Sequence, residues 1–172
     1  TAVSRLIPDK EEHAATTPAN LSLQQHPQYS QAFTHSLDEI TASCFAVSDE
    51  LAAGNTIGAE KQGERLKQAL DSFNIDEIVA DTVKYDAVYL SLDNARAETI
   101  SIVTDPDLAE KRASFNILSR ELVALLTLLD ISGTTYYRLI CPDAFGKGHE
   151  GWWIGKTAAA FNPYGINGCN QA

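Results

Sequence analysis

Residues 105–133, DPDLAEKRASFNILSRELVALLTLLDISG, decide the fold. Asp105-Pro106 offers an N-cap acceptor followed by a proline, whose missing amide is no loss at the first helical position. Phe115, Leu118, Leu122, Leu125, Leu126 and Leu129 then recur at three- and four-residue steps along one helical face, and Ser132-Gly133 ends the run. A helix with one apolar face must bury it, so other segments have to supply partners.

Three segments upstream do so. Ser36-Leu37-Asp38-Glu39 has the form of a capping box, and apolar residues at 37, 40, 44, 47 and 51 follow until Gly54-Asn55. A second helix is expected from about Thr56 to Phe73, with Ile57, Ala59, Leu66, Ala69, Leu70 and Phe73 on one side. Gly58 and Gly63 weaken it or let a neighbour approach closely. A third is expected from about Asp76 to Ile102, with Ile78, Val79, Val83, Ala87, Leu90 and Leu92 as its apolar face. Four amphipathic helices with short joints predict an all-α, four-helix up-down bundle.

The flanks read differently. Residues 1–26, with two prolines and little periodicity, are expected to form an extended N-terminal arm, leaving residues 27–172 as the bundle domain. Thr134 to Ile140 is β-branched and aromatic and reads as extended chain delivering Cys141. From about 134 to 172 the chain becomes a Cys-bracketed, irregular C-terminal cap, rich in Gly, Pro and Trp, that has to pack back on the bundle.

Composition bounds the function. The hydrophobic share of 44% and charged share of 21% over 172 residues are those of one ordinary globular domain, which excludes wholesale disorder. A net charge of −10 repels phosphate backbones and anionic membrane surfaces, so nucleic acid is not expected as a partner. No apolar stretch approaches the ~20 residues of a membrane span, since Leu122 to Ile131 is broken by Thr127 and Asp130. The chain begins at Thr1 and holds no Met, so a segment ahead of Thr1, such as a signal peptide, is expected to have been removed or to lie outside the sequence.

Candidate site residues concentrate in the C-terminal segment. Cys141 and Cys169 have three readings: a disulfide, soft-metal ligands together with His149 for Cu(I) or Zn(II), or free thiols. A disulfide between them in an oxidising compartment closes a long loop worth roughly 3 kcal/mol in the chain-entropy model. The absence of a CxxC pair favours it over a metal. Cys44, in an apolar helical stretch, reads as a small buried hydrophobe. Trp152 and Trp153, with Phe145 and Tyr164, either form an aromatic surface that meets a partner or close the open end of the bundle core. Gly146-Lys147-Gly148 and Gly165-Ile166-Asn167-Gly168 lack the frame of a phosphate cradle and read as turns. No GxSxG or HExxH pattern is present, so no catalytic residues are assigned and an enzyme is not expected.

The order Cys141-Pro142-Asp143-Ala144, Gly151-Trp152-Trp153, Asn162-Pro163-Tyr164 and Cys169 resembles the signature of an uncharacterised bacterial domain family. That family occurs as exported stand-alone proteins and appended to periplasmic adaptor (membrane fusion) proteins of copper and silver efflux systems. Arg112, Phe115, Leu118-Ser119 and Leu122 are similar to a recurrent Arg-x-x-Phe-x-x-Leu-Ser-x-x-Leu of the same family. The resemblance covers about residues 30 to 169 and implies a periplasmic helical bundle tied to heavy-metal handling. It implies a metal group of two cysteines and two methionines, with Trp153 the inward member of the Trp pair. Asp143 stands where the family's first Met is, its second Met is lost and Asn170 replaces a terminal Gly, so the chain lacks the thioethers that select Cu(I). The expectation is an exported, non-catalytic accessory module without a cofactor, acting through protein contacts within a larger complex. The alternative is a periplasmic copper- or zinc-binding protein using Cys141, Cys169 and His149, with Asp143 as a further candidate.

Overall fold

The structure is a computed structural model and describes residues 29–131 and 135–165. The expected N-terminal arm over 1–26 lies outside those residues. Four helices follow one another, α1 (Gln31–Ala52), α2 (Thr56–Ser72), α3 (Thr82–Thr104) and α4 (Leu108–Leu129), and then two strands, β1 (Tyr137–Cys141) and β2 (Gly151–Gly155). Each helix packs on its successor, which makes the four-helix bundle the patterning predicts. Helices alone do not close it. α1 and α4 touch only lightly, and β2 packs on α4 and more lightly on α1.

Every helix starts on a side-chain acceptor. Ser30 Oγ accepts from Phe33 N (3.1 Å), Asn55 Oδ1 from Gly58 N (3.0 Å) and Asp81 Oδ1 from Lys84 N (3.0 Å). Asp107 Oδ1 takes Ala109 N (2.7 Å) and Glu110 N (3.1 Å). Two of these starts correct the sequence reading. α1 begins at Gln31 rather than at the Ser36 capping box, because Ser30 is itself fixed by Glu77, whose carboxylate accepts Ser30 N at 2.8 Å and the Ser30 hydroxyl. Ser36 then sits inside the helix and donates back to Ala32 O (3.0 Å). For α4, Asp107 and not Asp105 is the cap, and Asp105 Oδ1 instead holds Asp107 N (2.8 Å).

The third helix also differs from expectation. Asp76–Ile78 is a separate 3-10 turn, with Asp76 N bound to Asn74 Oδ1 (2.9 Å), and α3 starts only at Thr82. Its buried line is Val88, Ser91, Leu92, Ala95, Thr99 and Ile102, whereas Val79, Val83 and Leu90 are exposed. α3 carries apolar residues on two sides, so periodicity within it could not choose the inner one. Ile57 of α2, expected in the core, is exposed as well. Gly63 is buried where α2 meets α3: a Cβ there would stand 3.0 Å from Val103 Cγ2.

Helix ends are closed across the bundle. No helix has a basic residue in its own last turn, yet the last carbonyls are partnered. Arg112 donates to Leu51 O of α1 (2.8 Å), and Arg96 donates to Leu70 O of α2 (3.2 and 2.8 Å). Lys111, fully buried, donates to Ile102 O of α3 (2.6 Å) while pairing with Glu60 (3.1 Å). Tyr29 OH donates to Leu129 O of α4 (2.9 Å). Replacing Lys111 by Met keeps the stem's volume but leaves Ile102 O and Glu60 without their cation. Lys111→Met is therefore expected to cost about 1–3 kcal/mol in chemical denaturation. An unchanged midpoint would show that the buried ammonium contributes nothing.

Candidate functional site

β1 and β2 form an antiparallel hairpin in which Arg138 faces Ile154, Leu139 faces Trp153, Ile140 faces Trp152 and Cys141 faces Gly151. Strand alternation separates the two tryptophans. Leu139, Cys141 and Trp153 are buried, while Ile140 and Trp152 are half-buried and Arg138 is exposed. The hairpin does not sit over an open end of the bundle. It lies along the seam between α1 and α4, with Tyr136 against Phe45 of α1 (6.4 Å between centroids) and Trp152 N bonded to Asn116 Oδ1 of α4 (2.8 Å).

Tyr164 fixes it from the far side. Its ring meets Trp153 (6.0 Å) and Phe145 (5.2 Å) edge to face, and its hydroxyl donates to Trp152 O. Trp153 and Tyr164 are thus core residues, Trp153 facing inward as the resemblance implies, so of the four aromatic candidates for a partner surface these two drop out. Trp152 and Phe145 remain accessible. Gly151 is required at this joint, because a Cβ there would come within 2.5 Å of Tyr164 Cε2 and 2.7 Å of Ala144 Cβ.

The accessible tryptophan is held by two cations over its ring and by a hydrogen bond from its indole nitrogen. Arg120 lies 4.3 Å and Arg138 4.7 Å from its ring centroid, and Trp152 Nε1 donates to Glu150 Oε1 (2.7 Å). Arg120 also pairs with that Glu150 oxygen (3.3 Å). Each cation–π contact is worth about 0.5–1 kcal/mol where partly exposed. The result is a preordered aromatic face flanked by guanidinium groups in an otherwise acidic protein. Arg120, Arg138, Asn116 and Glu150 carry no local sequence signal for this role, since they come from three elements and meet only in the folded chain.

The turn joining the strands is closed on itself. Asp143 Oδ1 accepts from Gly148 N (2.7 Å), His149 N donates to Gly146 O (2.9 Å) and Phe145 N to His149 O (3.0 Å). Gly146 (φ 103°) and Gly148 (φ 79°) supply the left-handed positions, as expected of turn residues. His149 is exposed on this turn, and Cys141 is buried at the end of β1. Cys169 and the Gly165–Gly168 turn beyond residue 165 lie outside the described residues, and with them the Cys141–Cys169 pairing. Among the described residues no group of three His, Cys, Asp or Glu could hold a metal ion. Between α1 and β2 lies a cleft of about 370 Å³ lined by Ala42, Phe45, Asp49, Ile154 and Lys156, with Lys156 Nζ 5.5 Å from the Phe45 ring.

A four-helix bundle whose α1–α4 seam is filled by an antiparallel hairpin is the class this geometry defines. Residues 40–134, more than half of the chain, match the family described as "Protein of unknown function (DUF3347)", and the chain belongs to that family. No curated protein matches it. No solved structure does either. No helix among the described residues is long and apolar enough to cross a membrane.

Burial under the hairpin has a pH consequence. Cys44 is a free, fully buried thiol of α1, and desolvation pushes it from 9.0 to about 12. Burial raises the Tyr164 phenol above its usual 10.0. Both groups stay protonated in the folded chain at a pH where an unfolded chain has released the proton. Stability is therefore flat below pH 9 with respect to these groups, falls as pH rises from 9 toward 12 through Cys44, and falls from pH 10 upward through Tyr164, by up to about 1.4 kcal/mol per pH unit for each. Denaturation midpoints across that range should drop, and the double substitution Cys44→Ala with Tyr164→Phe should flatten the drop.

Proposed function

We propose that this chain is an exported, non-catalytic accessory module that acts through protein contacts made by its C-terminal hairpin. The observation that carries the reading is Trp152: half-buried, with Arg120 and Arg138 both over its ring, and fixed by Asn116 and Glu150. Aromatic and arginine side chains supply most of the energy at interface hot spots, and one already held in place loses little entropy on binding. The chemistry on view is that of recognition. The free thiol Cys44 is buried and held protonated, the opposite of an activated nucleophile.

Export accords with a disulfide between Cys141 and Cys169, which ties the end of β1 to the chain beyond Tyr164. The motif order from Cys141 to Cys169 resembles that of a family found both as exported stand-alone proteins and appended to periplasmic adaptors, which supports an exported setting in which the chain meets a protein partner. Asp143, at the position of a methionine in that pattern, spends its carboxylate on Gly148 N, which favours recognition over metal carriage.

Two measurements test this. Protein unfolded without reductant should show one titratable thiol per chain, that of Cys44. Three thiols together with stoichiometric copper or zinc would contradict the reading. In affinity isolation of the tagged chain from its native source, Trp152→Ala should lose its co-purifying partner, with affinity down roughly thirtyfold, while its helical circular dichroism is unchanged.

A further inference from the structure

We propose that the open edge of β1 takes an acidic, extended segment of the partner protein as a third, antiparallel strand. This rests on the reading that the hairpin meets a protein, and adds the mode of contact. The register fixes which peptide groups point outward. Trp152 N and Trp152 O both turn away from β1, the first to Asn116 Oδ1 (2.8 Å) and the second to the Tyr164 hydroxyl. Trp152 and Ile140 opposite it are therefore a pair that exchanges no hydrogen bonds, and so are Ile154 and Arg138 two residues along. Because the sheet holds only two strands, the amides and carbonyls of Arg138 and Ile140 face the outer side of β1. Arg138 is exposed and Ile140 half-buried, and among the described residues these peptide groups have no hydrogen-bond partner. The edge of β2 is closed at Trp152 by a side chain of α4 and by Tyr164, whereas the edge of β1 stays open. Two donors and two acceptors at strand spacing are matched by the main chain of an extended segment.

Charge selects the occupant. Residues 137–156 hold two carboxylates, and both are spent locally: Asp143 accepts from Gly148 N (2.7 Å), while Glu150 accepts from Trp152 Nε1 (2.7 Å) and pairs with Arg120 (3.3 Å). The cations of the same stretch, Arg138, Lys147 and Lys156, are in no ion pair among the described residues. The hairpin is thus a basic projection on a chain of net charge −10. Arg138 lies on the open strand itself, and the residue set opposite it by an added strand has its Cβ about 4.5–5.5 Å away on the same face. An Asp or Glu there supplies the missing partner. A second copy of this chain does not: β1 against itself, with both outward residues paired, sets Arg138 opposite Ile140 and brings together two chains at −10.

The test is fluorescence anisotropy on the full chain with a labelled synthetic peptide of about nine residues that alternates Glu and Val. It should bind at least roughly tenfold more tightly than the same peptide with Lys for Glu, and Arg138→Glu should reverse that order with circular dichroism unchanged. N-methylation of the peptide separates strand addition from a contact between charges without altering the protein. In an antiparallel pair the Glu opposite Arg138 directs its own amide at β1, so methyl groups on the Glu nitrogens should abolish binding and methyl groups on the Val nitrogens should leave it intact. In hydrogen exchange the Arg138 and Ile140 amides should exchange freely in the chain alone and become protected when the peptide is added. No binding, equal binding of the Glu and Lys peptides, the same effect from both methylation patterns, or Arg138 and Ile140 amides already protected in the chain alone would overturn the proposal. So would a dimer in sedimentation that Ile140→Pro, which removes one outward amide, dissolves. Capture of the native partner that needs Trp152 but tolerates Ile140→Pro would remove strand addition and leave the hairpin reading standing, whereas capture indifferent to Trp152 would remove both.

Discussion

Every helix in this bundle ends on carbonyls that another part of the chain must close. An α-helix leaves its last four carbonyls without intrahelical donors, and its C-terminal end favours a cation. Here no helix supplies one from its own last turn. Arg112 and Lys111, neighbours at the start of α4, reach in different directions to the ends of α1 and α3, while Arg96 of α3 closes α2. The placement of α4 is thereby tied to both helices that end beside it. A shift of one would expose donors and acceptors at two others, and buried polar groups without partners are costly.

The same constraint reaches the hairpin. Arg112, which closes α1, also lies under the chain leaving Tyr164: a Cβ at Gly165, whose φ is +72°, would stand 2.8 Å from its guanidinium. Tyr164 in turn pins Trp153 and the Trp152 carbonyl. The presentation of Trp152 is thus a consequence of helix-end chemistry relayed through one arginine and one tyrosine. Trp152 is also clamped by α4 through Asn116 and Arg120, so bundle and hairpin form one packed unit.

How much of this could be read in advance follows from where each signal resides. The inner face of α4 was legible because Phe115, Leu118, Leu122, Leu125 and Leu129 recur within one element and are buried together. The start of α1 was not, because Ser30 is held by Glu77 from 47 residues away while a nearer Ser36 mimics a cap. The inner side of α3 was misread because its apolar residues lie on two sides and its buried line includes Ser91 and Thr99. β1 was legible from its β-branched and aromatic run. β2 was not, since Gly-Trp-Trp beside glycines reads as loop, and without β2 the alternation that turns Trp153 in and leaves Trp152 accessible has no basis. The four residues around Trp152 meet only through tertiary structure.

Native-state hydrogen exchange tests most directly whether the hairpin is part of the core rather than an appendage. If helix-end closure and the Tyr164 pin make one unit, the slowest amides of β1 and β2 exchange with the same opening free energy as those of α4 around Leu118 and Leu122. Strand amides that exchange through a distinctly smaller opening, with α1 and α4 still protected, would contradict it.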